Sequence, residues 1–237
     1  DVCAAGQFQD ITTGCTTCKL CPMAHYQVSI SESTCVVCAV GTFNAATGVA
    51  SCGACPQAHY QADDTQSVCR ACAVGTFEDD TTATVACDAC PDGKYQGAST
   101  QSVCRGCDAG TFKAATSVES CGGCSHGQYQ AEAMQSLCKA CGVGHFQDSG
   151  GGTTACKLCA TGKFNPEEAQ NAATDCDGCA QGTFSSEQGR DVCRLCSVGQ
   201  FQDSAAGTTA CELCPVAHYQ ADTTQSVCRA CAVGTFE

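Results

Sequence analysis

The chain has 237 residues, of which 28 are cysteine, nine phenylalanine, five tyrosine and none tryptophan. Large apolar side chains are too scarce for one core of that size, and cysteine at this density reads as a disulfide scaffold made in an oxidising compartment. The 24 acidic and 11 basic residues give a net charge of −13, which disfavours nucleic acid and anionic membrane as partners.

Self-similarity runs along the chain from its first cysteine. Each unit opens at a cysteine, has Gly or Ala three residues later and an aromatic at five, and closes at a cysteine 14 or 15 residues on. The first opens at Cys3 and carries Phe8. Then come Cys21 with Tyr26, Cys38 with Phe43, Cys55 with Tyr60, Cys72 with Phe77 and Cys90 with Tyr95. Cys107 with Phe112, Cys124 with Tyr129 and Cys141 with Phe146 continue the series. Cys159 with Phe164 opens an irregular unit at 159–179, where the closing gap grows to 17 and the stretch Asn165-Pro166-Glu167-Glu168 lengthens a loop. This irregularity reads as a local bulge or bend, because the repeat resumes in register. Cys179 with Phe184, Cys196 with Phe201 and Cys214 with Tyr219 follow, and Cys231 with Phe236 begins a last unit cut at Glu237. Residues 1–237 thus read as one continuous tandem array of 14 units, with a period of about 17 and a CxxC at each junction.

Two variations lie on the repeat. From Cys21 to Cys159 the Tyr units alternate with Phe units, a double period. The glycine position holds Ala24, Ala58 and Ala217 in three units, each followed by His and Tyr. No signal-peptide pattern precedes Asp1, so the chain reads as processed or as a piece of something longer. No apolar run approaches the ~20 residues of a membrane span.

Seventeen residues that bury one aromatic cannot offset their own ordering entropy, even with a disulfide worth roughly 3 kcal/mol. Stacking on neighbours must supply the rest, and an array of this kind has each unit contacting only the next. Segments this short and rich in Gly, Thr, Ser and Asp disfavour helices and suit short hairpins, with glycine allowing a sharp entry turn. The expected fold is a small disulfide-rich repeat array: an elongated rod of β-hairpin-like units with little or no helix.

The string C-x2-G-x-[FY]-x8-C followed by x2-C resembles the ephrin-receptor-like cysteine-rich repeats of many extracellular proteins. It is also similar to the single-disulfide modules of the tumour necrosis factor receptor family, as in Cys90-Pro-Asp-Gly-Lys-Tyr through Cys104. The resemblance implies a serial pairing that spacing alone leaves open. It pairs Cys3–Cys18, Cys21–Cys35, Cys38–Cys52, Cys55–Cys69, Cys72–Cys87, Cys90–Cys104 and Cys107–Cys121. It continues with Cys124–Cys138, Cys141–Cys156, Cys159–Cys176, Cys179–Cys193, Cys196–Cys211 and Cys214–Cys228. Cys15 and Cys231 are then surplus, candidates for bonds to another chain or to continuing chain.

CxxC pairs 13 residues apart are also zinc spacing. The aromatic and glycine recur with every cysteine pair, however, whereas zinc would take the pairs two at a time. A redox CxxC needs a thioredoxin-like βαβ setting that this pattern lacks. His25, His59, His145 and His218 precede a unit aromatic and His126 lies three before Tyr129, which reads as one surface position on several repeats. Asp63-Asp64 and Asp79-Asp80 lack a calcium-loop pattern and read as solvated loop acids. Seven cations, Lys19, Arg70, Arg105, Lys139, Lys157, Arg194 and Arg229, take the first position inside a CxxC. They read as solvation or as a charge ladder able to meet acidic loops of a neighbouring rod.

No catalytic constellation and no cofactor site emerge, so an enzyme is not expected. Asn44, Asn165 and Asn171 lie outside any N-x-S/T sequon, while the many Ser and Thr leave O-glycans open. Two functions fit an extracellular chain, secreted or at the cell surface. Unbroken repetition favours a structural rod that assembles with copies of itself into a fibril, filament or surface appendage. The resemblance favours the alternative, a ligand-binding or adhesive ectodomain segment of a receptor.

Overall fold

The computed structural model describes residues 2–10, 17–114, 119–204, 207–223, 225–232 and 234. Among them the chain forms thirteen two-stranded antiparallel sheets, each joining strands adjacent in sequence. The first hairpin pairs Gln7–Asp10 with Thr17–Leu20, and the others use strands of two residues. In each, the aromatic and the residue before it pair with the two residues inside the following CxxC, as Thr42 pairs with Ala54 and Phe43 with Gly53. The interior of each CxxC that joins two successive units is therefore a strand. Hairpins this small cannot persist alone, so each depends on its disulfide and its neighbours.

The turn that opens each unit is set by the glycine position. Gly41 has φ +78°, and Thr42 donates its N–H to Ala39 O at 3.0 Å, closing a β-turn with its left-handed residue third. Ala24, Ala58 and Ala217 adopt the same conformation at φ 64°, 62° and 64°, so these units keep the turn at a conformational cost. A second left-handed residue sits deeper in many loops, at Ser31, Thr65, Thr100, Met134 and Ala169. No consistent glycine marks that place, and nothing in the spacing revealed it.

Backbone hydrogen bonds then join unit to unit. The turn residue donates to the carbonyl of the residue after the next unit's aromatic, from Gly6 to Gln27 O at 2.7 Å through to Gly199 to Gln220 O at 3.0 Å. That acceptor residue passes the link on: Gln61 N–H donates to Thr84 O and Gln147 N–H to Gln170 O, each in the following unit. Loop residues complete the lacing by donating back to the preceding unit's opening cysteine, as Gly48 does to Cys21 O and Ala169 to Cys141 O.

Contacts divide the chain into two compact units, one of residues 1–107 and 113–121, the other of 108–112 and 122–237. Within each, contacts reach beyond the nearest neighbour. In the first, a Cβ built on Gly6 would stand 2.1 Å from Gly48 O, and one on Gly41 would stand 2.1 Å from Ala83 O. In the second, Gly144 stands in the same relation to Gly189 O and Gly162 to Gly207 O. Each of these pairs joins a hairpin to the second one on. The expectation that a unit touches only the next fails because the loops are long enough to fold back across an intervening hairpin. These contacts occur both where Tyr and Phe units alternate and in the units of Phe146 to Phe201, where they do not.

The irregular loop uses its additional residues in a 3-10 turn at Ala173–Asp175, with the Asp175 carboxylate accepting from the Asn171 and Ala172 N–H groups at 3.0 and 2.9 Å. Among the described residues no helix is long and apolar enough to cross a membrane.

Candidate binding surface

The structure joins Cys3–Cys18, Cys21–Cys35, Cys38–Cys52, Cys55–Cys69, Cys72–Cys87, Cys90–Cys104 and Cys107–Cys121. It also joins Cys124–Cys138, Cys141–Cys156, Cys159–Cys176, Cys179–Cys193, Cys196–Cys211 and Cys214–Cys228. Opening cysteines from Cys3 to Cys196 are buried, while most closing partners are half-exposed. Cys231 is free among the described residues, and Cys15 lies outside them. Among the described residues no group of three or more His, Cys, Asp or Glu is placed to hold a metal ion.

The unit aromatics are half-buried in the main. Among the described residues Phe146 is the most enclosed of them at 8% exposure and clusters with Cys159 and Cys176, the disulfide of the following unit. The opposite end of the scale is Tyr219, 40% exposed.

A buried polar position escaped the sequence reading. The residue after each aromatic, from Gln27 to Gln220, is buried throughout, and Gln61 is wholly inaccessible. Its side chain bridges the loop of its own unit. Gln130 Nε2 donates to Leu137 O at 2.6 Å, while its Oε1 accepts from Glu132 N–H at 3.1 Å. Asn44 reaches instead to the previous unit, donating to His25 O at 3.0 Å, and Lys113 Nζ donates to Cys90 O at 3.1 Å. The signal was present as the recurring Gln or Asn after the aromatic, but a polar residue in a loop-rich chain reads as surface.

The cations inside the CxxC pairs stand directly across the hairpin from the aromatic. Phe8 faces Lys19, Tyr60 faces Arg70, Tyr95 faces Arg105, Tyr129 faces Lys139 and Phe146 faces Lys157. Phe184–Arg194 and Tyr219–Arg229 follow the same rule. Directly opposed residues share a face of the hairpin, so the aliphatic stem lies beside the ring. Four of these cations pair with an acid in the loop of their own unit: Lys19 with Asp10, Arg70 with Asp63 at 3.3 Å, Lys157 with Asp148 at 2.5 Å and Arg194 with Glu187 at 3.8 Å. The ladder expected to face a neighbouring rod is at those positions satisfied internally, because the hairpin brings the loop's first residues beside its second strand. The Lys157 ammonium, through its hydrogen bond, holds the Asp148 carboxyl below the usual carboxylate range.

The histidines serve the turn. Rings of His25, His59, His145 and His218 place Nδ1 at 2.8–3.1 Å from the carbonyl two residues earlier, as His145 does with Val143 O. His126 lies over Gly150 in the next unit. Among the loop acids, Asp80 binds the Thr82 hydroxyl and the Thr81 and Thr82 N–H groups, which lowers its pKa. Most loop residues stay open to solvent, and with the cation–aromatic pairs they form a surface that recurs along the array.

This architecture has a counterpart among known sequences. The family described as tyrosine-protein kinase ephrin type A/B receptor-like matches residues 41–86 and 110–155. Each matched stretch spans successive hairpins of the array, so the resemblance carried by the cysteine, glycine and aromatic spacing holds. No curated protein sequence matches the chain.

Proposed function

We propose that the chain is an extracellular ectodomain segment of receptor type, a disulfide-stapled array that presents its loops and cation–aromatic faces to a binding partner. The observation that carries the reading is the match to ephrin-receptor-like repeats, which falls on hairpins closed by their own disulfides. Bonds of that number persist in an oxidising compartment, so the segment belongs outside the cell or on its surface. The role is binding or adhesion and involves no catalysis. The filament that repetition alone favours gains nothing from the family match and ranks second.

The test is surface labelling of intact cells that express the parent protein. Antibodies against the array should stain unpermeabilised cells, and the stained chain should resist mild reductant until unfolded. Staining confined to permeabilised cells, with the cysteines reduced, would refute the reading. Extraction of the chain solely as ordered fibres would favour the filament.

A further inference from the structure

Six of the seven cations inside the CxxC pairs belong to units with an acid seven or eight residues after the opening cysteine. These acids are Asp10 for Lys19, Asp63 for Arg70, Glu132 for Lys139, Asp148 for Lys157, Glu187 for Arg194 and Asp222 for Arg229. Arg105 is the exception. Its unit carries Gly97 and Ala98 at those two places, and residues 93–107 contain Lys94 and Arg105 but no acid. In place of the missing carboxylate the surface opens into a cleft of about 180 Å³ lined by Tyr95, Gln96, Gly97, Ala98, Gln101 and Arg105. No ion pair engages Arg105 among the described residues: Glu119, whose backbone carbonyl lies against Gly97, makes none with it.

We infer that this cleft binds a carboxylate side chain of an acidic peptide segment on a partner protein. Two sibling units, those of Arg70 and Arg194, display the bound geometry of an arginine with their own acids. Asp63 Oδ2 stands 3.3 Å from Arg70 Nη2, with Tyr60 opposite that arginine across the hairpin. Glu187 Oε2 stands 3.8 Å from Arg194. The unit from Cys90 reproduces the receptor half of that arrangement, Arg105 opposite Tyr95, without the acid. A guanidinium presents a planar fork of donors suited to a carboxylate, and Tyr95 flanks its stem. Gln101 in the cleft wall supplies a further amide. The peptide is favoured over other anions because the internal occupant of the equivalent place is an Asp or Glu side chain carried on peptide backbone, Asp63 beside Arg70 and Glu187 beside Arg194. The inference deepens the reading of the array as a binding segment and rests on it.

The experiment titrates the full disulfide-bonded chain with an acetylated, amidated tri-aspartate peptide, following the Arg105 side-chain N–H and Tyr95 ring signals by NMR. The chain should bind, with shifts centred on these two residues and weakened by salt. Arg105→Gln should weaken binding about fivefold, the scale of one exposed ion pair. Ala98→Asp, which restores the carboxylate its siblings carry, should weaken it to the same degree, whereas Val216→Ser, at an exposed residue of another unit, should leave it unchanged. Asp63→Ala should open a second site at Arg70. Non-reducing peptide maps identical to the parent's keep a folding defect from counting as loss of binding. The inference is overturned if both Arg105→Gln and Ala98→Asp bind as the parent does, if no shifts occur at Arg105, or if a sulfated oligosaccharide binds there in preference to the peptide. Any of these outcomes leaves surface labelling of cells untouched, so failure of the cleft is separable from failure of the receptor reading.

Discussion

Single residues carry two different kinds of constraint in this array. At Gly144 the backbone is left-handed, at φ +74°, and an added Cβ would lie 2.1 Å from Gly189 O. Gly144→Ala should therefore cost roughly 1–3 kcal/mol from conformation alone, with the clash against backbone added. Ala58 already holds φ 62° without glycine. Ala58→Gly should then change stability by at most about 1 kcal/mol, in the favourable direction. Native-state hydrogen exchange of the flanking amides checks both, and equal effects at the two sites would contradict the account. Asp148 shows the other constraint, an exposed charge with one defined partner. Its folded pKa lies below the ordinary 3.8, so the Lys157 pair contributes fully above that value and fades as pH falls through the folded one. Carboxyl titration by NMR should give Asp148 a lower midpoint than in Lys157→Gln; an unchanged midpoint would show that the pair is not formed in solution.

At the scale of one hairpin, the residue after the aromatic decides whether the loop closes. Gln130 supplies a donor to Leu137 O and an acceptor to Glu132 N–H while only 1% exposed. Gln130→Ala should strand both groups and cost about 1–3 kcal/mol. Gln130→Glu keeps the acceptor, as Glu78 does toward Asp80 N–H at 2.8 Å, and should fall between the two. Exchange protection of the Glu132 amide reads the outcome directly; protection retained in the Ala variant would disprove the bridge. The hairpin itself was legible in the sequence, because Cys, Gly and aromatic recur at fixed offsets and each has one conformational reason to be there. The glutamine's burial was not, since a loop amide looks solvated until its two backbone partners are placed. The Arg70–Asp63 pair was hidden for a related reason. The two residues are seven apart, and a charge pattern without hairpin register gives no cause to join them instead of pointing each at another molecule.

Across the molecule, stability is divided among repeating joints instead of one core. Among the described residues the largest wholly enclosed side chains are Gln61, Gln130 and Asn165 together with opening cysteines. Apolar burial is correspondingly thin, and the disulfides must offset much of the ordering entropy. The loops that reach the second hairpin on, as from Gly48 to Gly6, were not visible in the sequence, because a repeat of about 17 residues carries no signature of that relation. The array depends above all on each hairpin being closed by its own bond. Non-reducing proteolysis followed by mass spectrometry tests this directly. It should recover linked peptides that join an opening cysteine to the closing cysteine of the same unit, such as Cys90–Cys104 and, across the longest loop, Cys159–Cys176. Peptides linking cysteines of distant units, or CxxC pairs recovered as thiols sharing a bound metal, would contradict it.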